Sequence, residues 1–242
     1  MKLVLLPGLD GTGELFAPFV QAIRASTREP GVETDVIVYP PDRAMGYAEH
    51  EAWARERLPR EGEFVLLAES FSGPVGIAIA ASAPSNLKGL ILCATFASNP
   101  LPLFGPLSRL VAAFPAVRIP PALLEPFLHA GRASAEVRRL YSKAMAKVSP
   151  RTLQARVAAI LAIDHSALLR RIAVPILYLQ AKRDRLIPRS AFSKMQRLRL
   201  DIDRVEFDAP HFLLQTLPQP CADAVIGFLR SLQADERPGD RR

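Results

Sequence analysis

The stretch "LLAESFSGPVG", Leu66 to Gly76, decides how the chain is read. An apolar run of strand character stops at Glu69-Ser70 and restarts through small residues as a helix opening near Gly73-Pro74. Ordinary turn chemistry does not require a hydroxyl at the apex with a small residue two places to either side. A sharp strand-to-helix corner with an exposed nucleophile does, because the apex backbone is strained and the helix backs closely onto the strand. Ser70 meets that demand, with Ala68 before it, Ser72 after it and Gly73 following. The competing register, with Ser72 at the apex, would put the rigid ring of Pro74 at the point of closest approach. Ser70 is therefore the preferred apex, and a plain turn residue is the bland alternative.

Working outward, apolar and β-branched runs bounded by Gly, Pro or Asp recur at residues 3–6, 36–39, 64–67, 90–96, 174–179 and 205–207. Helical patterns with apolar residues three and four apart cover 13–26, 48–59, 73–84, 190–199 and 220–233. Strands alternating with such helices predict an α/β fold, a doubly wound, mostly parallel sheet of about six strands covered on both faces. Between the fourth and fifth strands the alternation lapses over about 98–168, with seven prolines from Pro100 to Pro126 and helical patterns at 133–147 and 150–163. An insertion of that length reads as a helical lid or binding element. Residues 1–233 are then one domain carrying the insertion, and 234–242 are a polar, frayed tail.

Composition narrows the classes. With 242 residues, 49% of them hydrophobic, the chain can bury a large core, and no apolar run is long enough to cross a bilayer. "MKLVLLPGLDGTG" resembles a secretory leader only until Pro7-Gly8 interrupts it, so it reads as a strand of the fold. Cys93 and Cys221 form neither a disulfide framework nor a metal-ligand spacing, which fits a reducing, cytoplasmic setting. The net charge of +7 is concentrated between Leu101 and Ile172, where eleven Lys and Arg face three Asp and Glu. No nucleic-acid-binding signature accompanies it, so nucleic acid is not the expected partner.

In a doubly wound sheet ligands sit beyond the carboxyl ends of the strands. A serine there needs a base, and the base needs a carboxylate to hold its tautomer. Of four histidines, only His211, in "DAPHFLLQ", follows a strand directly. Asp184, in "AKRDRLIP", follows the penultimate strand; Asp208, three before His211, is the alternative acid. Asp164 and His165 read as structural. Backbone N–H groups of Phe71 and of Leu9, in "LPGLDGTGELF", are the expected oxyanion donors. That loop lacks the lysine and the glycine spacing of a phosphate cradle. Glu69 either touches the pocket edge or bonds to neighbours. Met145, Phe104, Phe114 and Phe127 are expected to pack the lid against the domain.

With "LPGLDGTG", "AESFSG", "AKRDRLIP" and "APHFLLQ" in this order, the chain resembles the α/β-hydrolase superfamily of esterases, lipases and thioesterases over nearly all its length. It departs from that family in the two elbow positions that are usually glycine and in lacking the two antiparallel strands that usually come first. The resemblance implies acyl transfer to water through Ser70, His211 and Asp184, with neither metal nor organic cofactor. An apolar lid suits an apolar acyl group. Arg132, Arg138, Arg139 and Lys143, with Lys147 and Arg151, would form a basic rim that suits an acidic acyl carrier protein or a coenzyme A thioester. Transfer to an alcohol, as in related plastid acyltransferases, and a non-catalytic receptor are the alternatives.

Overall fold

The computed structural model describes residues 1–26, 31–107, 111, 115–116 and 120–235. Six strands form one sheet: β1 (Lys2–Leu6), β2 (Glu33–Val36), β3 (Phe64–Glu69), β4 (Leu87–Cys93), β5 (Ile176–Ala181) and β6 (Ile202–Phe207). Their spatial order is β2-β1-β3-β4-β5-β6 and every pairing is parallel. Helices α1 (Ala17–Ser26), α2 (Tyr47–Arg55) and α3 (Gly73–Ala81) connect the first four strands. Between β4 and β5 lie α4 (Pro121–Leu128), α5 (Ala135–Lys147), α6 (Pro150–Ala162) and the single turn α7 (Ser166–Leu169). After β5 come α8 (Arg189–Leu198), then, beyond β6, the short α9 (Leu213–Thr216) and α10 (Pro218–Asp235). No described helix is long and apolar enough to cross a membrane.

The four inner strands, β1, β3, β4 and β5, are largely apolar because each face of the sheet meets helices. Val4, Leu6, Phe64, Leu66, Leu90, Leu92, Ile176 and Tyr178 point to one side, where α2, α3 and α8 supply Tyr47, Val75, Ile79, Phe192 and Met195. Leu3, Leu5, Val65, Leu67, Ile91, Leu177 and Leu179 point to the other, against Phe19 and Ile23 of α1 and Val225, Phe228 and Leu229 of α10. All nine residues of α3 are buried, so it shows almost no polar face. A third, smaller cluster joins Leu128, Val137, Tyr141 and Met145 of the inserted helices to Leu15 and Phe212 of the sheet's loops.

Two expected strands sit elsewhere. The ladder of β2 runs over the polar "ETDV" of 33–36, not over 36–39, because β2 lies at an edge with alternate residues exposed. The apolar Ile37 and Tyr39 are buried just past it; Ile37 N–H still bonds Leu5 O of β1 at 3.0 Å, and Tyr39 N–H turns to Gly11 O. β4 stops at Cys93 because Ala94 takes a φ of 46°. Phe104 and Phe127 are about half exposed and do not pack inward, whereas Met145 does; Phe114 lies outside the described residues. The last helix runs to Asp235, two residues into the segment expected to fray, and 236–242 lie outside the described residues.

Candidate active site

The strand order reverses between β1 and β3, so the loops leaving their carboxyl ends lie side by side. β3 ends at Glu69, and Ser70 takes a φ of 48°. That left-handed backbone costs a non-glycine residue on the order of 1–3 kcal/mol and persists only where its surroundings hold it. One 3₁₀ turn (Ser70–Ser72) then leads into α3. Ser70 O accepts from Gly73 N–H and from Thr95 Oγ1, and Phe71 O accepts from Tyr47 OH at 3.0 Å.

The departures from glycine at the elbow have local reasons. A Cβ on Gly76 would come within 2.8 Å of Ala68 Cβ, so the glycine that lets helix and strand meet is on the helix rather than at 68. A Cβ on Gly73 would strike Thr95 Oγ1 at 1.9 Å. Ser72, fully buried, donates to Pro7 O at 2.5 Å and accepts from Tyr39 OH at 2.9 Å, a tie between elbow and β1 loop that glycine lacks.

Ser70 Oγ lies 2.9 Å from His211 Nε2, and His211 Nδ1 lies 2.7 Å from Asp184 Oδ2. A carboxylate only accepts, so Nδ1 carries the proton and Nε2 is left to accept from the Ser70 hydroxyl. The other Asp184 oxygen accepts from the N–H groups of Leu186 and Ile187, both at 2.8 Å, which fixes the carboxylate's plane. Asp208 is turned away, paired with Arg183 at 2.5 and 2.9 Å. Burial works against charge on His211, but the charge and hydrogen bond of Asp184, with Glu69 adding, leave it raised above the ordinary imidazole value. The remaining histidines stand apart from this array. His50, on α2, is fully buried against Tyr39 and Phe71, and burial pushes it down to about 4. His165 pairs with Pro74 O and His129 lies beside Glu125.

Every carbonyl of the loop after β1 is engaged from Pro7 to Gly11. Pro7 O takes Ser72 Oγ, Gly8 O takes Gly11 N–H at 3.0 Å, and Gly11 O takes Tyr39 N–H at 2.9 Å. Leu9 O and Asp10 O each accept at 2.8 Å from Nη1 of Arg156, whose Nη2 donates to Pro40 O at 3.1 Å. Gly8 to Gly11 is thus a tight turn, and a trans peptide aims Leu9 N–H away from the bound Gly8 O. Phe71 N–H lies in the first turn of a helix, where donors have no intrahelical acceptor.

One residue with a place in this site was not picked out as such, and a second, Glu69, was read only as touching the pocket edge or bonding to neighbours. Arg156, which entered only the count of eleven Lys and Arg between Leu101 and Ile172, is fully buried; burial pulls its guanidinium down to about 10, with Asp10 and Tyr39 opposing. Glu69 is 6% exposed and bonded by Gln215 Nε2 at 2.9 Å. The basic rim is partly neutralised. Arg132 donates to Asp208 O, and Lys143 and Lys147 both face Glu14. Arg138 and Arg139 are exposed, and Arg138 lines a cavity of about 360 Å³ with Glu125, His129 and Arg185, which none of Ser70, Asp184 and His211 lines.

The family model of the alpha/beta hydrolase family matches residues 3–224. Among solved structures, the chain is similar to an enol-lactonase from Burkholderia xenovorans LB400, at 17% identity and a TM-score of 0.75, covering 95% of this chain and 91% of that one. It is similar to a hydrolase from Pseudomonas aeruginosa PA01 (22% identity, TM-score 0.76, 94% and 89% covered). It is also similar to a thermophilic esterase from Thermogutta terrifontis (21%, 0.77, 96% and 90%). A search of curated proteins gives no match.

Proposed function

The chain belongs to the alpha/beta hydrolase family, and from that membership we propose that it hydrolyses a carboxylic ester or thioester through an acyl-serine intermediate. The observation that carries the reading is the hydrogen-bonded line from Ser70 Oγ through His211 to Asp184, built at the carboxyl ends of three strands. In this scheme His211 Nε2 takes the Ser70 proton as Oγ attacks the acyl carbon. The N–H groups of Leu9 and Phe71 hold the oxyanion, and the proton passes to the departing alcohol or thiol. Water repeats the sequence on the acyl-enzyme, Asp184 staying ionised throughout. The inserted helices act as a lid over about 98–168, and the apolar residues they and the preceding turn expose, Leu103, Phe104, Leu123 and Phe127, suit an apolar acyl group.

Incubation with a fluorophosphonate followed by peptide mapping tests the assignment. Modification at Ser70 is expected, with hydrolysis of p-nitrophenyl esters lost in Ser70→Ala by a factor on the order of 10⁴ or more. Labelling elsewhere, or an inert protein, contradicts it. Product analysis with added alcohol separates the acyltransferase alternative, and absence of both label and turnover would favour a ligand receptor.

A further inference from the structure

Arg156 presents an unusual accounting. It is a fully buried cation, and no carboxylate lies within ion-pairing distance of it among the described residues; Asp10, whose charge favours the guanidinium from farther off, directs its carboxylate to Thr12. Its hydrogen bonds go to backbone carbonyls alone, those of Leu9, Asp10 and Pro40, and its Nε has no partner. Burying an unpaired charge is expensive, so a position that bears one for stability alone would be better served by an apolar side chain. The bonds are specific in direction: both N–H groups of Nη1 are spent on the two central carbonyls of the turn from Gly8 to Gly11. Pulling those oxygens to one side leaves the preceding peptide, which carries Leu9 N–H, a single orientation. Gly11 leaves room for the fork; a Cβ there would meet Nη1 at 2.6 Å. The arginine reaches the loop from α6, in the insertion, across the aromatic rings of Tyr39 and Phe71 at 5.8 and 6.0 Å.

We infer that Arg156 is the positioning residue of the oxyanion turn: its guanidinium holds the carbonyls of Leu9 and Asp10 so that Leu9 N–H faces the charge developing on the substrate. The inference rests on the hydrolase reading above and adds to it a role for the insertion in the chemical step. A planar fork is required, since one ammonium does not present two fixed, diverging donors together with a third for Pro40.

The test compares Arg156→Lys and Arg156→Leu with wild type on a p-nitrophenyl ester, alongside inhibition by an alkyl boronic acid that forms a tetrahedral adduct on serine. Loss of an oxyanion donor lowers kcat by about 10²–10³-fold. Arg156→Leu is expected to approach that loss and Arg156→Lys to fall between it and wild type, with KM changed by less than about threefold and boronate affinity falling in step with kcat/KM. Arg199→Lys is the structural comparison, because Arg199 bonds the carbonyls of Ile172 and Val174 away from the site; it is expected to lower Tm and leave kcat unchanged. Wild-type turnover with kcat retained in both Arg156 variants, or a loss carried by KM alone, overturns this inference and leaves the hydrolase reading standing. A wild-type protein inert to ester and fluorophosphonate overturns both. If Arg156→Leu does not fold, Arg156→Lys decides.

Discussion

Glu69 buries a carboxyl one residue before the strained serine, and burial pushes it from the usual 4.5 up to about 7, with Asp10 adding and Gln215 and His211 opposing. Below pH 4.5 it holds its proton in both folded and unfolded chains. Between 4.5 and 7 only the folded chain keeps it, so stability falls as pH rises and the full cost is present above 7. A shift of that size is on the order of 3 kcal/mol. Glu69→Gln is therefore expected to melt higher than wild type at pH 8 and level with it near pH 4.5. The same substitution removes a charge that raises His211, so the acid limb of kcat/KM, which in wild type lies above the ordinary imidazole value, should move to lower pH. Asp184→Asn should leave the fold intact and lower kcat by roughly 10⁴-fold, because an amide stabilises the wrong imidazole tautomer. That Ser70, Asp184 and His211 would be brought together was legible because each follows a strand and the strands could be counted. Arg156 was not, since a charged residue in a sequence reads as solvated until its neighbours are known; for Glu69 the bond to a neighbour was among the readings, but not its partner Gln215 or the depth of its burial.

Between elements, the contact of α3 with β3 shows how an elbow manages without its usual glycines. Gly76→Ala brings two Cβ atoms to 2.8 Å and approaches Leu90 Cδ1 at 3.2 Å; overpacking of this kind costs about 1–3 kcal/mol. Adding Ala68→Gly should restore most of the loss, and a double-mutant cycle by denaturant unfolding should show coupling of about 1 kcal/mol or more. Some helices were read within two residues at each end, as 133–147 and 150–163 against α5 and α6, whose starts are capped by Ser134 and Ser149. By contrast, α2 and α3 end four and three residues before the ends read for them, and α4, α7 and α9 were not read. Strand β2 was misplaced by three residues because apolar content follows burial, and the edge ladder of Glu33 to Val36 is polar while the buried Ile37 and Tyr39 beside it are not in a strand. Phe104 and Phe127 were misjudged for a related reason: aromaticity in an insertion says nothing of which side it faces.

For the whole molecule, the +7 charge is less available than its concentration in the insertion suggests. Glu14 faces Lys143 and Lys147, and Asp208 faces Arg132 and Arg183, so among the described residues the insertion's field toward solvent is carried by Arg138, Arg139 and their exposed neighbours. Salt screens such exposed charges. Turnover of a neutral p-nitrophenyl ester should be flat with ionic strength, whereas kcat/KM for a coenzyme A thioester should fall several-fold between about 50 and 500 mM salt; no difference between the two would remove the acidic-partner expectation. The polar edges β2 and β6, with Glu33, Asp35, Asp203 and Arg204 exposed, discourage pairing with a second sheet. The stitching of α6 to the β1 loop has a practical consequence for anyone building chimaeras. A cap transplanted from another hydrolase, however well it fits the rim, would leave the carbonyls of Leu9, Asp10 and Pro40 without their donor; only a graft that carries a guanidinium to the same depth can be expected to bring its own specificity and keep the host's rate.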